Sequence, residues 1–329
     1  MKGFLKIKQK NNQLMSENAP EVSVIIICYN RKDLLVRAIE SVLRQTFHNF
    51  ELIIVDDGSS EDVGGMIKEK YGSDRRIRYF FVEHIGKLGA VRNIGISKSQ
   101  APYVAFLDSD DEWLPEKLEE QIRVIKQSDR ESTGIVGCDF YIINVNTGRE
   151  RIYQLKFNER IMNPIEGILS GKIPTYPTLY LLKMEALKKI GFFDEKFSGA
   201  DDYDLLVRIL EQYKFSWIKK MLCRYHVHSS HRSVLPGIVM AQIQDRMRLF
   251  SKFRHYYENC RMCTSWNLMT IGRLQILSGM TRQGIKTFFN AILKNPLDIR
   301  SYLHFILALF GSTVYRKVFK LWAYFKVGH

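Results

Sequence analysis

From Val22 to Gln127 the sequence repeats one pattern four times: a short, nearly continuous apolar run, a few polar or small residues, then an amphipathic run with helical period. The apolar runs are VSVIIICY, FELIIVD, IRYFFVE and YVAFLD, and the helical runs are KDLLVRAIESVLRQ, GGMIKEKYG, LGAVRNIGISKS and LPEKLEEQIRVIKQ. Strands that are apolar on both faces must be covered on both faces, and helices alternating with them supply the cover. The pattern therefore predicts an α/β fold with a Rossmann-like, mostly parallel sheet. In such sheets ligands bind beyond the carboxyl ends of the strands. Those ends carry Asn30, the Asp56-Asp57-Gly58-Ser59 run, His84, and the cluster from Asp108 to Glu112, so all of them are expected to line one cleft.

The last of these ends, in YVAFLDSDDEWLP, gathers four carboxylates whose mutual repulsion calls for a positive partner. Asp108 and Asp110 alternate, so both side chains point to one side, a D-x-D arrangement suited to a hard divalent cation (Mn2+ or Mg2+) bridging a diphosphate. A calcium loop of the EF-hand kind is excluded: its sixth position requires Gly, and Trp113-Leu114-Pro115 is expected to open a helix there. Asp111 and Glu112 read as the cap and first-turn charges of that helix. Asp56 reads as the turn residue of DDGS.

Beyond Ser132 the regularity changes. A strand, TGIVGCDFYIIN, leads into a mixed region expected to add antiparallel or irregular structure that completes the cleft, and from Pro236 onward the pattern is helical. The expected organisation is an N-terminal extension (1–21), a nucleotide-binding domain (22–235) and a helical C-terminal extension (236–329). Charge separates the last two: of a net +14, the segment from Pro236 holds about +11, with 14 basic and 3 acidic residues. Interleaved aromatic and basic residues, as in VYRKVFKLWAYFKV, favour an anionic membrane surface as partner over a solvated face, with nucleic acid ranked last. No run reaches the roughly 18–20 apolar residues of a membrane span, and the first residues are basic and polar without the apolar stretch of a secretory signal. Five scattered cysteines are expected to be reduced, and the Cys260-x-x-Cys263 pair lacks the further ligands a zinc site needs. A cytoplasmic protein, peripherally bound to the inner face of the cell membrane, is the expectation.

Five motifs occur in order: VSVIIICYNR, FELIIVDDGSSED, GKLGAVRNIGI, YVAFLDSDDEWLPEKLE and GADDYDLLVRI. With them, over about Val22 to Ser233, the chain resembles glycosyltransferase family 2, inverting enzymes of GT-A fold that use nucleotide-diphosphate sugar donors. The resemblance implies that Tyr29 stacks on the nucleobase, Asp57 accepts a hydrogen bond from it, and Asp108 holds the ribose. It further implies that Asp110 ligates the metal, that Arg92 and Asn93 lie near the donor, and that Asp202 is the catalytic base on a helix that also carries Leu205 and Arg208. His228 matches a histidine that contacts metal or phosphate. It also implies an acceptor hydroxyl on a glycan or lipid-linked substrate. Two departures stand out: Ile27-Cys28-Tyr29-Asn30 replaces the family's PTYN-like strand end, and Asp201-Asp202 replaces its Glu-Asp pair. A nucleotidyltransferase is the rival enzyme, but no Gly-rich phosphate loop is present and the Asp202 motif would be left without a role. An inactive sugar-nucleotide-binding or scaffold protein is the rival outside enzymes.

Overall fold

The computed structural model describes residues 19–127, 132–156, 163–228 and 236–326. Nearly all of the N-terminal extension lies outside the described residues. Four parallel strands, β1 (Val22–Cys28), β2 (Phe50–Asp56), β3 (Ile77–Phe81) and β4 (Tyr103–Asp108), form the first half of the sheet. They alternate with α1 (Lys32–Leu43), α2 (Val63–Tyr71) and α3 (Leu88–Lys98), and α4 (Lys117–Gln127) follows. Every residue of β1 and β2 is buried, as the unbroken apolar runs require.

The second half comprises β5 (Glu112–Trp113), β6 (Thr133–Asn144), β7 (Glu150–Tyr153), β8 (Leu181–Lys183) and β9 (Lys214–Val227). One mixed sheet runs in the order β3-β2-β1-β4-β8-β6-β9-β5, with β7 on β6. Antiparallel pairing dominates this half, where among the described residues only β6 and β9 run parallel. The chain steps from β1 outward to β2 and β3, then returns to the other side of β1 as β4, and this reversal of strand order opens a crevice at the carboxyl ends of β1 and β4. Across it, α5 (Pro164–Leu169) and α6 (Met184–Ile190) pack against α7 (Asp201–Leu210), whose Asp201 meets Arg92.

The expected helix start at Trp113 is not found. Glu112 and Trp113 pair with Arg224 and Cys223 of β9 instead, and the helix begins at Lys117. The cap reading of Asp111 and Glu112 falls with it.

The helical region consists of α8 (Pro236–Lys252), α9 (Arg254–Asn259), α10 (Arg261–Leu277), α11 (Thr281–Lys294), α12 (Ile299–Leu309) and α13 (Gly311–Lys326). Its first part shares the main core through Leu249, Phe253 and Tyr257, while Met269, Ile276, Phe288, Ala308 and Tyr315 form a smaller core of their own. Cys260 and Cys263, expected as free thiols, are joined in a disulfide. They occupy the N-cap and first turn of α10, which brings their Cα atoms within 5.2 Å. Cys28, Cys138 and Cys223 are free and buried.

Candidate active site

At the β1 and β2 ends the chain turns sharply. Asn30 adopts φ 51°, and the Asp56 carboxylate closes the next turn by accepting from the Ser59 amide at 2.9 Å, the role expected of it. Gly58, at φ +77°, is required there, because a Cβ would lie 2.7 Å from the His84 nitrogen. The neighbouring Asp57 carboxylate accepts from the amides of Ile85 at 2.7 Å and Gly86 at 3.0 Å. The His84 ring stacks on Tyr29 with centroids 4.1 Å apart and planes 18° apart. Both groups assigned to a nucleobase are thus engaged by one loop, residues 84–86. The sequence marks His84 only as a strand end.

The carboxylates after β4 find positive partners within the protein. Asp108 accepts from Arg92 at 2.8 Å, and Asp110 from Arg31 at 2.6 Å. His228 Nε2 lies 3.3 Å from the Asp110 carboxylate and is buried without a hydrogen-bond partner. Asp111 is buried and accepts from the His226 amide at 2.8 Å, tying the end of β9 to the D-x-D turn. Burial and the nearby Asp108 and Asp110 push the Asp111 carboxyl well above the usual carboxylate range. Burial likewise lowers His226 to about 4, so its ring is neutral at pH 7.

Asp110 and His228 are the pair that a divalent cation would use, one hard oxygen beside one imidazole nitrogen. Among the described residues no third Cys, His, Asp or Glu joins them. An ion there would draw its remaining ligands from a diphosphate and water, and the orphaned His228 nitrogen fits that role.

Across the cleft α7 opens on Asp201 and Asp202. Asp202 accepts from the Thr175 hydroxyl at 2.8 Å and from the Tyr203 amide at 2.8 Å. Burial, then the adjacent Asp201 charge, raise its carboxyl to about 7. Behind it Leu205, Leu206 and Ile209 are buried, as the helical period of this segment predicts, and Arg208 bonds Asp204 at 2.8 Å. Asp201 points the other way, 3.4 Å from Arg92. Arg92 therefore joins both halves of the cleft, with Asp108 on one nitrogen and Asp201 on another. Gly89 permits this approach, since a Cβ there would come within 2.9 Å of Asp201. Asn93 bonds the Phe193 backbone and the Glu195 carboxylate, so it fixes the loop before α7.

The helix α8 grips the same loop. Asp245 accepts from the amides of Ser198 at 2.9 Å and Gly199 at 2.8 Å. The Arg246 guanidinium lies 4.2 Å over the Tyr203 ring, and Lys252 reaches Asp194 at 3.1 Å. Thr175, Tyr203, Asp245 and Arg246 were not singled out in the sequence.

The family model for glycosyl transferase family 2 matches residues 23–191, which contain every motif named above except the Asp202 helix. The chain belongs to glycosyltransferase family 2. Among relatives of this glycosyltransferase, an uncharacterized glycosyltransferase of Rickettsia typhi is 30% identical over 71% of this chain and 72% of its own length. One from Rickettsia bellii is 47% identical over 65% of this chain, which spans only 30% of that longer protein. The O-antigen biosynthesis glycosyltransferase WbnJ of Escherichia coli is 32% identical over 65% of this chain and 83% of its own length. Among solved structures, Staphylococcus aureus TarS residues 1–349 in complex with UDP-GlcNAc superimposes with a TM-score of 0.56 at 18% identity, covering 91% of this chain and 92% of that one. The fold is GT-A, with a helical C-terminal region.

Proposed function

We propose that this family 2 glycosyltransferase moves a sugar from a nucleotide-diphosphate donor to an acceptor hydroxyl in one displacement, with inversion at the anomeric carbon. The observation that carries the reading is Asp202: a carboxyl held in place by Thr175 and the Tyr203 amide, with its pKa raised to about 7 at the edge of the cleft. A base poised near the working pH combines an ionised fraction with a useful driving force for proton transfer. In the reaction Asp202 takes the proton of the acceptor hydroxyl. The acceptor oxygen forms its bond to the anomeric carbon while the bond to the departing phosphate oxygen breaks, and the nucleoside diphosphate leaves with that electron pair.

The donor is read as lying along the β1, β2 and β4 ends, the nucleobase at Tyr29 and Asp57 and the ribose at Asp108. Because Asp57 is engaged by the amides of Ile85 and Gly86, and Tyr29 by His84, donor entry requires the 84–86 loop to yield these contacts. A divalent cation held by Asp110 and His228 supplies charge neutralisation to the diphosphate when bound. Arg31, which bonds Asp110, would add positive charge beside the diphosphate. Support for a sugar-nucleotide donor comes from the UDP-GlcNAc complex of the structural neighbour, and support for a cell-surface glycan acceptor from the O-antigen relative.

The test is a thermal-shift panel of sugar nucleotides with Mn2+, followed by product analysis with the best donor. A ligand at about 100 times its Kd adds about 2.7 kcal/mol of stability, an easily measured shift. Failure of every nucleotide-diphosphate sugar to shift the melt or to be consumed would remove the reading.

A further inference from the structure

Helix α12, with sequence IRSYLHFILAL, is amphipathic in the reverse of the usual sense. Its inward side chains are Ser301, His304 and Ala308, whereas Ile299, Leu303, Ile306 and Leu309 point outward. Leu303 is 59% exposed, and the stripe continues into Leu297 at 90% and Phe310 at 68%. A groove of about 340 Å³ between α12 and α13, lined by Leu303, Ile306, Leu307, Phe310, Val318 and Phe319, opens on the same side. A soluble protein does not leave so large a contiguous apolar face in water without an occupant.

The charges identify the occupant. From Arg261 to Phe319 the only carboxylate is Asp298, and it is turned inward, capping α12 and accepting from Arg300 at 2.8 Å. Over the same stretch Arg282, Lys286, Lys294 and Lys317 are exposed. A second copy presenting this face would set cations against cations with no carboxylate to answer them. Nucleic acid would meet the cations but not bury branched aliphatic side chains. Exposed aliphatics in a helical region whose exposed charges are nearly all cations match a surface that is anionic at the headgroups and hydrocarbon just beneath.

We infer that the outer face of α12, with Leu297, Phe310 and the groove against α13, is a docking surface for an anionic lipid leaflet, into which Leu303 and Ile306 insert. No helix among the described residues is long and apolar enough to cross a membrane, so the contact is with one leaflet. This is independent of the catalytic assignment.

The experiment is co-sedimentation of the full chain with phosphatidylcholine vesicles, with and without phosphatidylglycerol. Binding should require phosphatidylglycerol and weaken with salt. Leu303→Ser with Ile306→Ser should lower affinity by at least about tenfold, because both side chains lose an apolar contact worth more than that in sum. Lys286→Glu with Lys294→Glu should do the same through charge. All four positions are exposed, so circular dichroism and melting should match the parent. Absence of vesicle binding by the parent, or binding untouched by the two serines, overturns the inference. So does a dimer of the parent that the serines dissociate, or binding of RNA in preference to vesicles.

Discussion

Asp245, on the first helix beyond the sheet, accepts a hydrogen bond from the backbone amide of Gly199 at 2.8 Å, two residues before the carboxylate pair that opens α7. The same oxygen takes the Ser198 amide, and Asp245 is itself buried. A helix of the C-terminal extension thus fixes the loop from which Asp202 projects. With Leu249 and Phe253 of the same region in the main core, the extension is part of the framework that holds the start of α7 as well as a carrier of charge.

Asp245→Ala should therefore lower turnover while leaving donor affinity nearly unchanged. A displacement of about 1 Å at a reacting group costs up to about 10²-fold. Asp245→Asn keeps one carbonyl acceptor for the two amides and should recover part of the loss. Steady-state kcat and KM for donor, compared across the two variants, check this. A fall in melting temperature with unchanged kcat would assign Asp245 to stability alone.

Arg92 should be the most structurally costly residue of the cleft to replace. It is buried, and its guanidinium touches Asp108 at 2.8 Å and Asp201 at 3.4 Å. Arg92→Met leaves both carboxylates without that cation, and breaking a buried pair in this way costs about 3–5 kcal/mol. Arg92→Lys restores the charge but not the two-pronged geometry and should fall between. Urea denaturation at neutral pH measures both.

Much of this site can be read from the sequence because strand-end residues in an α/β sheet have nowhere to go but the cleft. Asp57 and Asp108 come to the crevice by that rule, whereas Asp202, which opens a helix, is marked only by its motif. What escapes is partnership across long separations: Thr175 meets Asp202 from 27 residues away, and Asp245 meets Gly199 from 46. No local pattern marks either. Asp111 shows the converse failure, since a carboxylate ahead of a helical run resembles a cap until β9 supplies the His226 amide from 115 residues on. In α12 the periodicity is plain, but which face is inside depends on its neighbours α11 and α13, and Ser301, His304 and Ala308 are the residues turned inward.

Donor binding should depend on divalent metal through Asp110 and His228. With EDTA the melt shift produced by a sugar nucleotide should shrink, and Mn2+ should restore it. Asp110→Asn removes the charged oxygen of the pair and should weaken metal-dependent binding by about tenfold or more, while its metal-free melt changes little because Arg31 is half-exposed. Equal donor shifts in EDTA and in Mn2+ for the parent would exclude the metal role.

Asp202→Asn keeps the shape of the side chain and an oxygen to accept from the Tyr203 amide, while its NH2 can donate to the Thr175 hydroxyl, but it cannot take a proton. Transfer should fall by about 10²- to 10⁴-fold, the usual worth of a positioned base, with donor affinity nearly unchanged. In the parent the ionised carboxylate is the active form, so the rate should rise with pH and level off above about 7. The stability consequence has the opposite sign. The folded-state pKa of about 7 stands above the ordinary aspartate value of 3.8, so between these pH values the folded protein binds the proton more tightly than the unfolded chain. Its stabilising contribution is present below about 3.8 and is lost as pH rises toward 7. Asn carries no charge to desolvate, so the variant should be more stable than the parent above neutral pH, and relief of even 1 kcal/mol raises Tm by about 2–4 °C in a domain of 150–250 residues. Below about pH 3.8 the two melts should converge. A variant that transfers at the parental rate would remove Asp202 as the base, and one that is inactive but no more stable at pH 8 would leave it the base with an ordinary carboxylate pKa.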